Sequence, residues 1–281
     1  MSDIKERSPN QLLLIGIIGG LLGIYLTYIL PAISMRISGN SVIMQNVGEL
    51  LNVIAPTFGA LGGICAVLWG ADAVRRVAKY GLGTGVPSIG QIAMGMGIIA
   101  AMFGLAIVKT IVLAGPIVAL VTASILGFIV GWFAQNVIKM KIPVMIRCMT
   151  EIAASGTIII IGFSAAVAGN FEFANIVTLV FDNGVMLAVF WVGAVAMLHP
   201  FNACLGPDEK QKRLLYLAGS TGAITMAIVG IAATMTLGAP GVITLVLGIG
   251  LWIIFYKKFW DEVYHDASSV VGTGLIPKTE A

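Results

Sequence analysis

The sequence predicts an all-α integral membrane fold, a polytopic helical bundle of about eight transmembrane helices with both termini cytoplasmic. Three observations carry that expectation. Of the 281 residues, 58% are hydrophobic and only 10% charged, with a mean hydropathy of +1.00, whereas roughly a quarter of the residues in a soluble domain are charged. Apolar runs of about 20 residues, the length that crosses a bilayer, recur along the chain. The basic residues gather in alternate connectors. Because the runs are continuously apolar rather than alternating, a β-barrel is excluded, and helices are what remains to pair every backbone amide in lipid. The net charge of +3 is too small to suggest nucleic acid, so the expected partners are the lipid membrane and other proteins.

In chain order the expected spans are 11–30, 51–71, 89–108, 114–135, 151–169, 177–198, 214–237 and 240–256, within one transmembrane domain over 1–281 that has short tails at 1–10 and 257–281. The first follows "MSDIKERSPN" with no small-residue cleavage site, which predicts a retained helix rather than a signal peptide. Its "GIIGGLLG" (16–23) and the "GALGG" (59–63) of the second span are faces suited to close helix packing. Before the third span, "YGLGTGVPSIG" matches neither phosphate-loop pattern. It reads instead as an ordered re-entrant loop in which Gly81, Gly83 and Gly85 permit tight backbone approach and Pro87 starts the helix. "KTIVLAG" and "GAP" join the third to the fourth span and the seventh to the eighth as tight hairpins. The start of the sixth span is open. If "FEFANIVTLVF" lies along the interface, Asp182 caps a helix beginning near Asn183; otherwise it is an intramembrane carboxylate. Pro31, Pro87, Pro116, Pro143, Pro200, Pro207 and Pro240 all fall near expected ends, where breakers cost least.

All 16 basic residues except Arg36 and Lys109 fall in the tails or in the second-to-third, fourth-to-fifth and sixth-to-seventh connectors. Lys and Arg are retained on the cytoplasmic side, so these segments and both termini are expected there, as an even number of spans also requires. Cys65, Cys148 and Cys204 form no paired-cysteine motif, which fits a reducing compartment.

Three cytoplasmic connectors combine Pro, basic residues and small polar groups: 69–90, 138–152 and 199–213. "GADAVRRVAKYGLGTGVPSIG", "KMKIP", "GFSAAVAG" and above all "HPFNACLGPDE" followed by "STG" resemble the C subunit of the membrane-bound tetrahydromethanopterin S-methyltransferase complex of methanogenic archaea, over about residues 11–260. The resemblance implies membership of a multi-subunit, sodium-translocating machine. That machine passes a methyl group from N5-methyltetrahydromethanopterin, through a corrinoid on a partner subunit, to coenzyme M. This chain has no soluble domain that could enclose a corrinoid or a pterin and only two histidines, His199 and His265. It is therefore expected to bind no cofactor itself and to be non-catalytic alone, with a role in a membrane cavity for coenzyme M, in the sodium path, or in both.

A sulfonate needs cationic donors or helix N-terminal amides. Arg75, Arg76 and Arg147 have the right type and side for coenzyme M, with His199 and Asn202 of the 199–213 connector as further candidates. The plainer alternative is that the arginines are topology signals or touch lipid headgroups, and that His199 and Asn202 fix their connector's turn. Zinc would activate a thiol, but His199, Cys204 and Cys148 have no metal-site spacing, so no metal is expected. Sodium takes hard oxygen ligands. Asp72 and Glu151 sit at expected cytoplasmic ends of spans, and Glu151 is beside Thr150 and one turn from Ser155. Against this, Asp72 can pair with Arg75 or Arg76 one turn on, and Glu151 can be a carboxylate favoured by a helix N-terminus. A second function class remains open, a free-standing secondary transporter of an organic anion, although its ionisable groups would be expected nearer the bilayer midplane.

Overall fold

A computed structural model of the chain describes residues 6–37, 41–80, 85–107, 111–183 and 210–267, and every regular element among them is helical. We label these α1 (Pro9–Ile37, including a π-helical stretch Ile15–Gly19), α2 (Val42–Tyr80), α3 (Gly85–Ile107), α4 (Gly115–Asn136), α5 (Met145–Ala168), α6 (Phe173–Asn183), α7 (Gln211–Leu237) and α8 (Ala239–Ala267). Six of them, α1, α2, α4, α5, α7 and α8, are long and apolar enough to cross a membrane. The expected third span is α3, an apolar helix of 23 residues. Most of the sixth, 177–198, lies outside the described residues, so the count among described helices stands at six rather than eight.

Helix ends follow local chemistry. Ser8 starts α1 with a capping box: its hydroxyl accepts from the Gln11 amide while its own amide donates to Gln11 Oε1. Gly169 ends α5 with φ 73° and Gly238 ends α7 with φ 74°, a left-handed backbone that side chains disfavour. Gly238 alone separates α7 from α8, so the "GAP" hairpin forms as read, with Pro240 in the first turn of α8.

Four expectations are corrected. Pro31 lies inside α1 rather than at its end, and Pro56 lies inside α2; in a bundle, neighbours can satisfy the carbonyls that a proline frees. The second span is 39 residues instead of the expected 21 or so, a rod of roughly 58 Å. Trp69–Tyr80 is thus helix, not connector, because nothing between Pro56 and Gly81 breaks it and its charges pair along the helix. The α4–α5 link shrinks to 137–144, where Lys139 and Lys141 both take left-handed backbone (φ 62° and 50°). Residues 257–267 continue α8.

The hub is α5, buried on every side from Glu151 to Val167. Three neighbours each turn a glycine towards it. A Cβ on Gly59 of α2 would come within 2.8 Å of the Gly162 carbonyl, one on Gly127 of α4 within 2.6 Å of the Met149 carbonyl, and one on Gly97 of α3 would run into the Ala153 carbonyl. Such approach gives the van der Waals contact that drives association where lipid removes the hydrophobic difference. The two glycine faces read from sequence meet each other, as a Cβ on Gly62 would lie 2.7 Å from the Gly20 carbonyl.

Candidate functional site: a buried ion-pair cluster

The long C-terminal extension of α2 places Trp69, Asp72, Arg75 and Arg76 over consecutive turns beside the start of α5. Asp72 is fully buried and serves both arginines of its own helix, accepting from Arg75 Nε at 3.2 Å and Arg76 Nε at 2.9 Å. Arg76 reaches across to α5, donating to Glu151 Oε2 and approaching Cys148 Sγ at 3.6 Å. Glu151, 3% exposed, also accepts from Trp69 Nε1 at 3.0 Å and from Arg147 Nε at 2.7 Å, one turn back on α5. All five described candidates, Asp72, Arg75, Arg76, Arg147 and Glu151, therefore belong to one network.

Its remaining partners come from far along the chain. Arg75 donates through both terminal nitrogens to Glu6 at 3.3 and 3.1 Å, which balances three guanidiniums with three carboxylates. Gln211, at the start of α7 and 4% exposed, donates from Nε2 to Asp72 Oδ1 at 3.0 Å. The same amide group clasps the N-terminal segment, donating to the Arg7 carbonyl at 3.0 Å while its Oε1 accepts from the Arg7 amide at 2.7 Å. Asn10 Oδ1 accepts from Arg147 at 2.7 Å. Residues 6–10 are thus a strap over the cluster, fastened to α2, α5 and α7. Burial raises the Glu6 pKa, but hydrogen bonds and charge from Arg75, with Lys79 adding, outweigh it and hold the carboxyl below its ordinary 4.5.

Every carboxylate oxygen of Asp72 and Glu151 accepts a hydrogen bond from a cationic or neutral side chain. Arg75 and Arg76 are enclosed, at 4% and 11% side-chain exposure, whereas Arg147 is 48% exposed. Thr150 and Ser155, expected to join Glu151 in an oxygen cluster, both bond to the backbone of α5. Thr150 donates to the Ile146 carbonyl and Ser155 to that of Ile152. Glu151 is not a first-turn carboxylate, since it is the seventh residue of α5. Asp182 lies within α6 rather than ahead of a helix starting at Asn183. His199, Asn202 and Cys204 lie outside the described residues. Among the described residues no group of three or more His, Cys, Asp or Glu is placed to hold a metal ion.

Sequence reading missed Glu6, Asn10, Trp69 and Gln211. Glu6 and Gln211 are polar residues flanking apolar spans, and nothing local marks them as partners of residues 69 and 139 positions away. The strap's other side opens onto a cavity of about 350 Å³ between residues 6–15, α7 and α8, with Glu6, Arg7, Gln211 and Lys212 at its polar end and Leu12, Leu215 and Phe255 among its apolar walls. Lys212 pairs with Glu262 of α8. The start of α1, the end of α2, the starts of α5 and α7 and the end of α8 thus all meet at one end of the bundle.

These features define a polytopic helical membrane protein with a charge-balanced polar network at one end. The family described as the C subunit of tetrahydromethanopterin S-methyltransferase matches residues 2–280. The C subunit of the Methanosarcina barkeri methyltransferase is 46% identical over 275 residues, 97% of this chain and 93% of the relative. That of Methanothermobacter thermautotrophicus is 42% identical over 272 residues, 96% and 94% of the two chains, and that of Methanococcus vannielii 35% identical over 281 residues, 96% and 94%. The chain belongs to this family of tetrahydromethanopterin S-methyltransferase C subunits, and so to a multi-subunit methyltransferase.

Proposed function

We propose that this chain serves, within a sodium-translocating complex of the cell membrane, the transfer of a methyl group from N5-methyltetrahydromethanopterin, through a corrinoid on a partner subunit, to coenzyme M. Its own part is to present the polar end of its bundle, on the cytoplasmic side with both termini, to coenzyme M and sodium. The observation that carries this reading is the convergence of Asp72, Arg75, Arg76, Arg147 and Glu151 in one network. Topology signals alone need no such convergence. Arg147, the half-exposed guanidinium, is the donor that meets the sulfonate; Arg75 and Arg76 hold the frame, and His199 and Asn202 complete the site from their connector.

The two ligands act on opposite halves of the same ion pairs. A sodium ion at Glu151 displaces the Arg147 guanidinium and frees it for the sulfonate, and a sulfonate on Arg147 frees a Glu151 oxygen for sodium, with Asp72 as the second carboxylate on the ion's path. Each ligand then raises the affinity for the other, because linkage between sites is reciprocal. The chain itself needs no catalytic group for this.

The test is the intact complex assayed in two half-reactions. Arg147→Ala should leave methylation of the corrinoid by the pterin unchanged and raise the coenzyme M requirement for demethylation roughly tenfold to a hundredfold, the worth of a charge-assisted contact. Sodium should lower that requirement in the parent complex and do so less in the variant. Unaltered dependence on both ligands in an assembled Arg147→Ala complex would leave this chain as scaffold. Elution as a single chain that moves an organic anion, without corrinoid absorbance, would favour the transporter reading.

A further inference from the structure

The cavity beside the strap is polar at one end and apolar at the other, and its charges do not cancel. Glu6 is committed to Arg75 through two hydrogen bonds and Lys212 to Glu262. Arg7, exposed at the rim, has no ion pair among the described residues. Lys258 Nζ stands 5.8 Å from the ring centre of Tyr216, a wall of the cavity, with Lys212 Nζ 6.0 Å from the same ring. Below the rim the walls are Leu12, Leu215 and Phe255.

The depth is marked independently. Along α8, Trp252 stacks on Tyr256 at 5.6 Å, Tyr256 meets Trp260 edge-on at 6.0 Å, and Trp260 meets Tyr264 at 5.8 Å. From Trp252 to Tyr264 this ladder is about 18 Å long, so it runs from the edge of the apolar core out through the headgroup level, where Trp and Tyr gather. The cavity therefore has its cations where headgroups lie and its apolar walls one or two turns deeper, where chains begin.

We propose that this cavity binds an anionic phospholipid, its phosphate against Arg7 at the rim with Lys258 next to the Tyr216 wall, and the head of its hydrocarbon chain against Leu215 and Phe255. Gln211 forms the wall shared with the ion-pair network, so an occupant touches the residue that ties the strap to Asp72. This site is separate from the guanidinium assigned to the sulfonate, and its failure would leave that assignment standing.

The purified complex, stripped of lipid by detergent exchange, is titrated with short-chain phosphatidylglycerol and followed by native mass spectrometry. We expect the parent to bind one more phosphatidylglycerol per copy of this chain than a cavity-blocked Leu215→Trp complex. Arg7→Ala and Lys258→Ala should each weaken that binding roughly fivefold, as for a cation lost near a charged headgroup. Equal binding of phosphatidylcholine, or full binding in an assembled Arg7→Ala, Lys258→Ala double variant, overturns the proposal. Displacement by 2-mercaptoethanesulfonate overturns it in favour of the thiol substrate, and equal occupancy by inorganic phosphate in favour of a free-anion site.

Discussion

Arg76 and Glu151 show how little freedom the network has. Each is enclosed, and breaking a buried pair by removing one partner leaves an uncompensated charge, at about 3–5 kcal/mol. Glu151→Gln should therefore lower the melting temperature of the complex clearly, while Arg147→Ala, at a half-exposed site, should shift it little; comparable losses in scanning calorimetry would mean that Arg147 is as firmly held as Glu151. Glu6 behaves differently because it titrates. Its carboxyl is held below the ordinary 4.5, so the strap's contribution is complete above that value and is lost as pH falls through the lower, folded-state pKa. Melting curves of the parent and Glu6→Gln should differ at pH 7 and converge as pH drops below 4.5; a constant gap would show that Glu6 does not fasten the strap.

At the scale of elements, glycine separates close crossings from open faces. A methyl group on Gly62 would meet the Gly20 carbonyl at 2.7 Å, and one on Gly23 would overlap the Phe58 carbonyl, whereas Gly95 and Gly250 have nothing within 4 Å. Gly62→Ala and Gly23→Ala should cost about 1–3 kcal/mol through overpacking. Gly95→Ala and Gly250→Ala should be neutral or gain up to about 1 kcal/mol from helix propensity. Denaturation in detergent would measure both pairs, and equal effects would remove the packing argument. Leu12, although an apolar residue of the first span, is 1% exposed and cannot serve as a lipid-facing control. The glycine faces, the "GAP" turn and the pairing of Asp72 with the arginines one turn on were legible because their signals are local. The length of α2 was not: a hydropathy window stops at Asp72, while the helix continues because its charges neutralise one another along one face. Glu6, Trp69 and Gln211 were illegible for the opposite reason, since their roles exist only once distant helix ends meet.

The whole molecule fixes which ends lie together, and so permits a test of sidedness. An impermeant thiol reagent should modify Arg36→Cys in intact cells but reach Lys139→Cys and Lys258→Cys only after lysis, each compared with the parent protein. Modification of all three from outside would reverse the orientation.

The enclosure of α5 also imposes a timetable. Ribosomes add roughly 5–20 residues per second, so α5 waits several seconds before α7, which supplies Gln211, has been made. Arg76 is synthesised ahead of Glu151, and their mutual neutralisation can occur as soon as α5 leaves the insertion machinery. Asp72 already has its arginines by then, but its last hydrogen bond, and with it the seat for Arg7, must wait for Gln211. The beginning of the chain is thus among the last parts to be locked down, and a nascent protein arrested before α7 would be inserted, charge-balanced and unlatched.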